Sequence, residues 1–215
     1  TAFASINLIM PVVMLVGAIG FMVGTGGAAL VAKTLGEQRR DRANQYFTML
    51  IGATTIAGTI VCILAYIFMD KICLALGADS NMLHGCVTYG RISMYFNVFF
   101  MLQNCFQDFF IVAEKPHLGL VTTIIAGLSN IILDALFIYV FNWGVAGAAV
   151  ATGFSEIVGA AIPIIYFIKP NNSLLRLVPC KLEFKPIIKV CCNGISEMVT
   201  SITSSFVSML YNAQL

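Results

Sequence analysis

Apolar and polar positions alternate along this chain on a long scale, with hydrophobic runs of some two dozen residues broken by short polar stretches. Runs at about 3–32, 43–69, 82–112, 117–140 and 145–168 are each long enough to cross a bilayer as a helix, which takes about 20 residues. A sixth run begins near Val190 and continues towards Leu215. The runs lack the strict alternation of a barrel strand, so they predict helices, which satisfy their own backbone polar groups in lipid. The expected fold class is therefore all-α, a polytopic membrane helical bundle. Residues 1–168 are expected to hold five spans, 169–189 a linker, and 190–215 the start of a further helix. Thr1 opens the sequence without an initiator Met and Leu215 closes it inside an apolar run, as expected for a piece of a longer protein.

Small and breaking residues refine this pattern. Pro11 can kink the first span, and Gly20 and Gly24 form a G-x-x-x-G step that predicts close approach by another helix. The glycines between 17 and 27 are not a phosphate loop, because no strand precedes them and no Gly-Lys-Ser/Thr follows. Asn142-Trp143-Gly144 predicts a tight turn that makes the fourth and fifth spans antiparallel neighbours. Asp70 to Asn81 is expected as a loop. The segment LLRLVPCKLEFKPIIK at 174–189 has the makings of an amphipathic surface piece, although Pro179 and Pro186 break any long helix there.

Charge placement sets the orientation. Lys33, Arg39, Arg40, Arg42, Lys115, Lys169, Arg176, Lys181, Lys185 and Lys189 fall in loops on one side, and Lys71 stands alone on the other. The basic side is expected to be cytoplasmic, which puts 33–42, 113–117 and 169–189 there, in a multi-pass protein of the cell inner membrane. Composition agrees: 59% of residues are hydrophobic and 10% charged, against about 25% charged in a soluble domain. The mean hydropathy is +0.92. Seven cysteines without a C-x-x-C pair are neither a zinc pattern nor a disulfide framework. His84 and His117 lie at span ends without metal-ligand spacing.

The candidate chemistry centres on the fourth span, where Asp134 is the one ionisable side chain in the apolar stretch and Asn130 sits one turn before it on the same face. A carboxylate at such a position costs about 2.5–3.5 kcal/mol on insertion scales. Something must offset that: a cation, a proton, a water-filled cavity, or a neighbouring helix that uses the Asp as glue. Counted outward from the turn at ~1.5 Å per residue, Asp134 and Thr152 lie at one depth, about 12 Å below it, with Asn130 a turn deeper. Carboxylate, amide and hydroxyl oxygens are hard ligands that suit a proton or a small hard cation such as Na⁺. Glu156, one turn beyond Thr152, is a candidate cavity-lining residue, as are Glu197 and Arg91; for Arg91 a structural, snorkelling role competes. Asp108 is expected to meet water or loop cations. Gly153-Phe154-Ser155-Glu156 and Gly194-Ile195-Ser196-Glu197 echo a serine motif, but neither completes G-x-S-x-G and no H-E-x-x-H occurs, so no enzyme is expected.

Five segments together resemble the multidrug and toxic compound extrusion (MATE) family of cation-coupled antiporters: GTGGAALVAKTLGEQRRDRAN at 24–44, VAEKPHLGL at 112–120, NIILDALFI at 130–138, GVAGAAVAT at 144–152 and NGISEMVTSITSSFVSMLYN at 193–212. The resemblance implies a twelve-helix protein with two six-helix lobes around a central cavity, of which this chain covers about helices two to seven. It implies a cation site in the amino-terminal lobe at Asn130, Asp134 and Thr152, with a further acidic residue in the family's first helix. It also implies an exporter of organic, often cationic, compounds driven by Na⁺ or H⁺, with lipid as its surroundings. A monomer is expected, with no cofactor beyond the coupling ion, no other metal and no nucleic-acid partner. A lipid-linked saccharide flippase of the same superfamily is the alternative; such proteins usually need a more basic cavity, and Arg91 is the one basic residue inside a span. A non-transporting scaffold is a further rival.

Overall fold

The computed structural model describes residues 2–169 and 173–214. Pro170, Asn171 and Asn172, part of the expected linker, lie outside the described residues, as do Thr1 and Leu215. The described chain is helical throughout its hydrophobic runs: α1 (Ala2–Gly36), α2 (Arg40–Ala75), α3 (Ser80–Val112), α4 (Pro116–Asp134), α5 (Gly144–Ile168) and α6 (Phe184–Gln214). A π-helical segment, Ala135–Val140, continues α4 towards the turn. The helices run up and down with short connections, so the basic loops gather at one end of the bundle. Four of them (α1, α2, α4 with its π-helical extension, and α5) are long and apolar enough to cross a membrane. This is an all-α membrane bundle, as the run pattern predicts.

Two boundaries differ from the sequence expectation. The loop expected at Asp70–Asn81 shrinks to Leu76–Asp79, because α2 continues to Ala75 with Met69 and Cys73 fully buried. Asp70 on that last stretch pairs with Arg91 of α3, Oδ2 to guanidinium nitrogen 2.5 Å. The sixth helix begins at Phe184 rather than near Val190, with Pro186 in its first turn. There the missing N–H of proline is one that no helix could pair anyway.

The α1 glycines explain how the helices close on one another. A Cβ on Gly20 would lie 2.6 Å from the backbone of Met101, and one on Gly24 would lie 3.1 Å from Cys105 Cα. The G-x-x-x-G step therefore seats α3. Gly26 faces the other way: a Cβ there would strike the carbonyl oxygen of Val190, and one on Gly194 would strike that of Met22. Small residues thus let α1 touch α3 on one side and α6 on another, the close approach that replaces hydrophobic driving force inside lipid. At the basic end, Phe47, Phe106, Phe109, Phe110 and Phe167 form an aromatic core with no or almost no exposed surface.

Among the described residues the linker forms no helix before Phe184, as its prolines predict. Residues 173–183 run extended along the first turns of α2. Arg40 donates to the carbonyls of Ser173 (2.6 Å) and Leu174 (3.2 Å). Asn44 Oδ1 accepts from the Arg176 amide at 3.0 Å, Thr48 Oγ1 accepts from the Val178 amide at 2.9 Å, and Arg42 pairs with Glu183 at 3.1 Å. The spacing fits, since four helical residues rise ~6 Å and two extended residues ~6.6 Å. Leu175 drops into the aromatic core and is fully buried.

Candidate functional site

The turn at Asn142–Gly144 forms as predicted, with Asn142 and Gly144 both at positive φ (54° and 55°). It lays α5 antiparallel to α4 and brings two candidates together: the Asn130 amide donates to Thr152 Oγ1 at 3.4 Å. The count levels Asp134 with Thr152; in the structure the side chain bonded to Thr152 is that of Asn130, one turn earlier. After Asp134 the helix widens, with Phe141 N–H reaching back to Leu136 O and Trp143 N–H to Phe137 O, both at 3.0 Å.

Asp134 is the last α-helical residue before that segment and is half-buried. Its Oδ1 is buried and has no hydrogen-bond partner among the described residues. A buried acceptor left unmatched is costly, so the carboxylate is not acting as interhelical glue through that atom. Phe137, Phe141 and Trp143 stack over the turn with centroids 5.1 to 6.0 Å apart, as an aromatic belt does at a membrane face.

The other candidates separate cleanly. Glu156 lines an enclosed cavity of about 100 Å³ together with Met10, Val13, Tyr89, Ser93 and Thr152, among others. Glu197 lines a larger groove of about 590 Å³ between α1 and α6, faced by Asn7, Thr200, Ser201, Ser204 and Ser208. Arg91 is drawn elsewhere: beside its ion pair with Asp70, its guanidinium lies 5.4 Å from the Tyr66 ring centroid. These contacts hold it at the end of the bundle opposite the basic loops. Asp108 has no ion pair among the described residues. It accepts from Thr25 Oγ1 at 3.4 Å, beside Gly24, and lies within electrostatic range of Glu197. Ser155, from the serine echo, donates to its own helix at Thr152 O, 2.7 Å away.

Sequence reasoning missed two features. Tyr89 is almost fully buried; its hydroxyl donates to Met10 Sδ at 3.8 Å, and it shares the Glu156 cavity with Thr152 and Ser93. Tyr89 and Ser93, hydroxyls four residues apart, had a legible signal in that spacing. The hydroxyl face of α6, from Glu197 through Ser201 and Ser204 to Ser208, repeats every three to four residues and was legible the same way.

Comparison with known proteins gives one consistent answer. Over 213 residues the chain is 26% identical to the multidrug export protein MepA of Staphylococcus aureus (strain MRSA252), covering 97% of this chain and 47% of that protein. MepA of Staphylococcus haemolyticus (strain JCSC1435) is 26% identical over 191 residues, 87% of this chain and 42% of its own length. The chain thus spans about half the length of the curated relatives it matches. Among solved structures, an inward-facing multidrug resistance MATE family transporter of the MOP superfamily superposes with TM-score 0.91 at 18% identity, over 97% of this chain and 48% of that one. The MATE multidrug transporter DinF-BH superposes with TM-score 0.90 at 23% identity, over 99% and 48%. These two likenesses establish the fold. The MatE family model matches residues 1–136, well over half of the sequence, and the chain belongs to the multidrug and toxic compound extrusion (MatE) family.

Proposed function

We propose that the full chain is a cation-coupled antiporter that exports small organic compounds, many of them cationic, across the cell membrane by alternating access. The observation that carries this reading is the Asn130–Thr152 hydrogen bond across α4 and α5, with the unmatched Oδ1 of Asp134 one turn away. Such a constellation offers amide, hydroxyl and carboxylate oxygens of the kind a proton or Na⁺ would take. Occupancy of Asp134 would shift the balance between outward- and inward-facing arrangements, which requires that the ion bind the two with different affinity. The names of the Staphylococcus relatives support multidrug export as the activity. The groove between α1 and α6, with one carboxylate among hydroxyls, suits a drug-sized organic cation by volume and chemistry. The concentration of Lys and Arg at one end supports a cytoplasmic placement for that end.

The test is substrate efflux from proteoliposomes carrying the full chain under an imposed Na⁺ or H⁺ gradient, with thermal stability as the folding control. Asp134→Asn should fold and lose gradient-driven efflux, while Asn130→Ala and Thr152→Ala weaken ion dependence less, because the charge stays. Gradient-driven efflux at the parent rate in a well-folded Asp134→Asn protein would reduce Asp134 to a structural role.

A further inference from the structure

Glu156 stands apart from the Asp134 constellation in where it points. It lies one turn along α5 from Thr152 and lines the enclosed cavity between α1, α3 and α5, whereas Asp134 does not. Three hydroxyls share that cavity with it: Thr152 from α5, and Tyr89 and Ser93 from α3. The α1 wall is apolar or soft, built from Met10, Val13 and Met14. Cys62 on α2 and Tyr89 lie within electrostatic range of Glu156, and Asp134 on α4 within range of Tyr89. None of these brings positive charge, and the nearby Arg91 is committed to Asp70 and Tyr66. Among the described residues Glu156 has no ion pair and no hydrogen bond. A lone carboxylate in the membrane interior calls for a counter-charge.

Size decides which counter-charge fits. A volume of about 100 Å³ holds about three waters at ~30 Å³ each, whereas drug-sized ligands take about 300–1,000 Å³. A small cation fits and an organic one does not. The ligand set, one carboxylate and three hydroxyl oxygens, is hard and suits Na⁺ rather than a soft metal. We propose that this cavity is a second sodium site, separate from Asp134, with the Glu156 carboxylate as its charge and the Thr152, Ser93 and Tyr89 oxygens as neutral ligands. Thr152 would link the two sites, since it also accepts from Asn130. The proposal deepens the antiporter reading: one export cycle would draw on two bound ions in this lobe. It rests on that reading for its role in transport but not for sodium binding itself.

The experiment is saturation binding of radiolabelled sodium to the purified full chain at fixed pH, with choline keeping the ionic strength constant, alongside sodium-dependent thermal stabilisation. E156Q should lose roughly half of the saturating sodium, D134N the other half, and the double variant nearly all, because each variant removes the charge of one site. E156D should keep the second ion at several-fold weaker affinity, which a purely structural role for the side chain would not produce. In sodium-free buffer E156Q should melt no lower than the parent. Sodium binding by E156Q equal to the parent, or by the double variant equal to D134N, would overturn the site, as would a parent that binds no sodium. Full binding by D134N with loss in E156Q would sustain this site and sink the Asp134 reading instead. If E156Q fails to fold, S93A queries the same cavity: weaker sodium affinity by several-fold supports the site, and unchanged affinity overturns it.

Discussion

Helices α3 and α4 make an instructive pair. By hydropathy α4 with its π-helical extension is a convincing membrane span and α3 is not among the four that qualify. Yet α3 packs against α1, α2, α4 and α5, while α4 turns Leu120, Ile124, Leu128, Ile131 and Ile132 outward, each at least half exposed. The polar residues of α3 are its joints. Asn97 is fully buried and donates to Val13 O of α1 at 3.2 Å. Gln107 donates to Gly119 O and Thr123 Oγ1 of α4 at 3.2 and 2.8 Å. Gln103 occupies the space a Cβ on Gly159 of α5 would need. In lipid an apolar side chain gains nothing by leaving the tails for a neighbouring helix, so small residues and polar bonds do the joining. The low hydropathy of α3 therefore comes from the polar joints it carries.

That contrast can be broken most severely at its tightest seam. Gly20→Leu pushes a side chain into the Met101 backbone, which cannot move aside as a side chain can; the expected loss is about 3 kcal/mol or more, read as detergent-resistant folding and melting temperature. Gly127→Leu on α4, with nothing within 4 Å, should leave both unchanged or improved, since leucine outranks glycine in helix propensity. Equal damage at both positions would erase the distinction between the two helices.

A smaller effect is expected at the polar joints. Asn97→Leu and Gln107→Leu each remove an interhelical bond from α3 and should cost about 0.6–1.7 kcal/mol, measured by reversible unfolding in mixed micelles. No cost at either would mean that small-residue packing alone holds α3 in place.

The smallest effect sharpens the comparison from the lipid side. Ile132→Ala and Leu128→Ala on the outward face of α4 should shift stability by less than about 0.5 kcal/mol, unlike the 2–5 kcal/mol that such truncations cost in a soluble core. A soluble-like loss would place a protein surface, not lipid, against that face.

How far the sequence could be read follows the same physics. Run lengths, the turn at Asn142–Gly144, the basic end and the G-x-x-x-G seam were all legible, because each depends on local conformation or on the choice between lipid and water. The pairing of α4 with α5 was legible too, but not which side chain would bond across it: the count levelled Asp134 with Thr152, and Asn130 makes the bond. What the linker packs against was not legible for a related cause. Its alternating apolar residues fit a membrane surface, but the Asn44 and Thr48 side chains offered paired acceptors at a matching spacing, and Leu175 found the aromatic core. Composition and periodicity determined that this is a helical membrane bundle, and where its unusual carboxylates fall. Only tertiary structure decided what each carboxylate faces: Asp134 an unmatched buried edge, Glu156 a small cavity shared with three hydroxyls, Glu197 an open groove, Asp108 a threonine. One-dimensional patterns record how far a residue stands from water, whereas the direction of a side chain is settled by the crossing of helices distant in sequence.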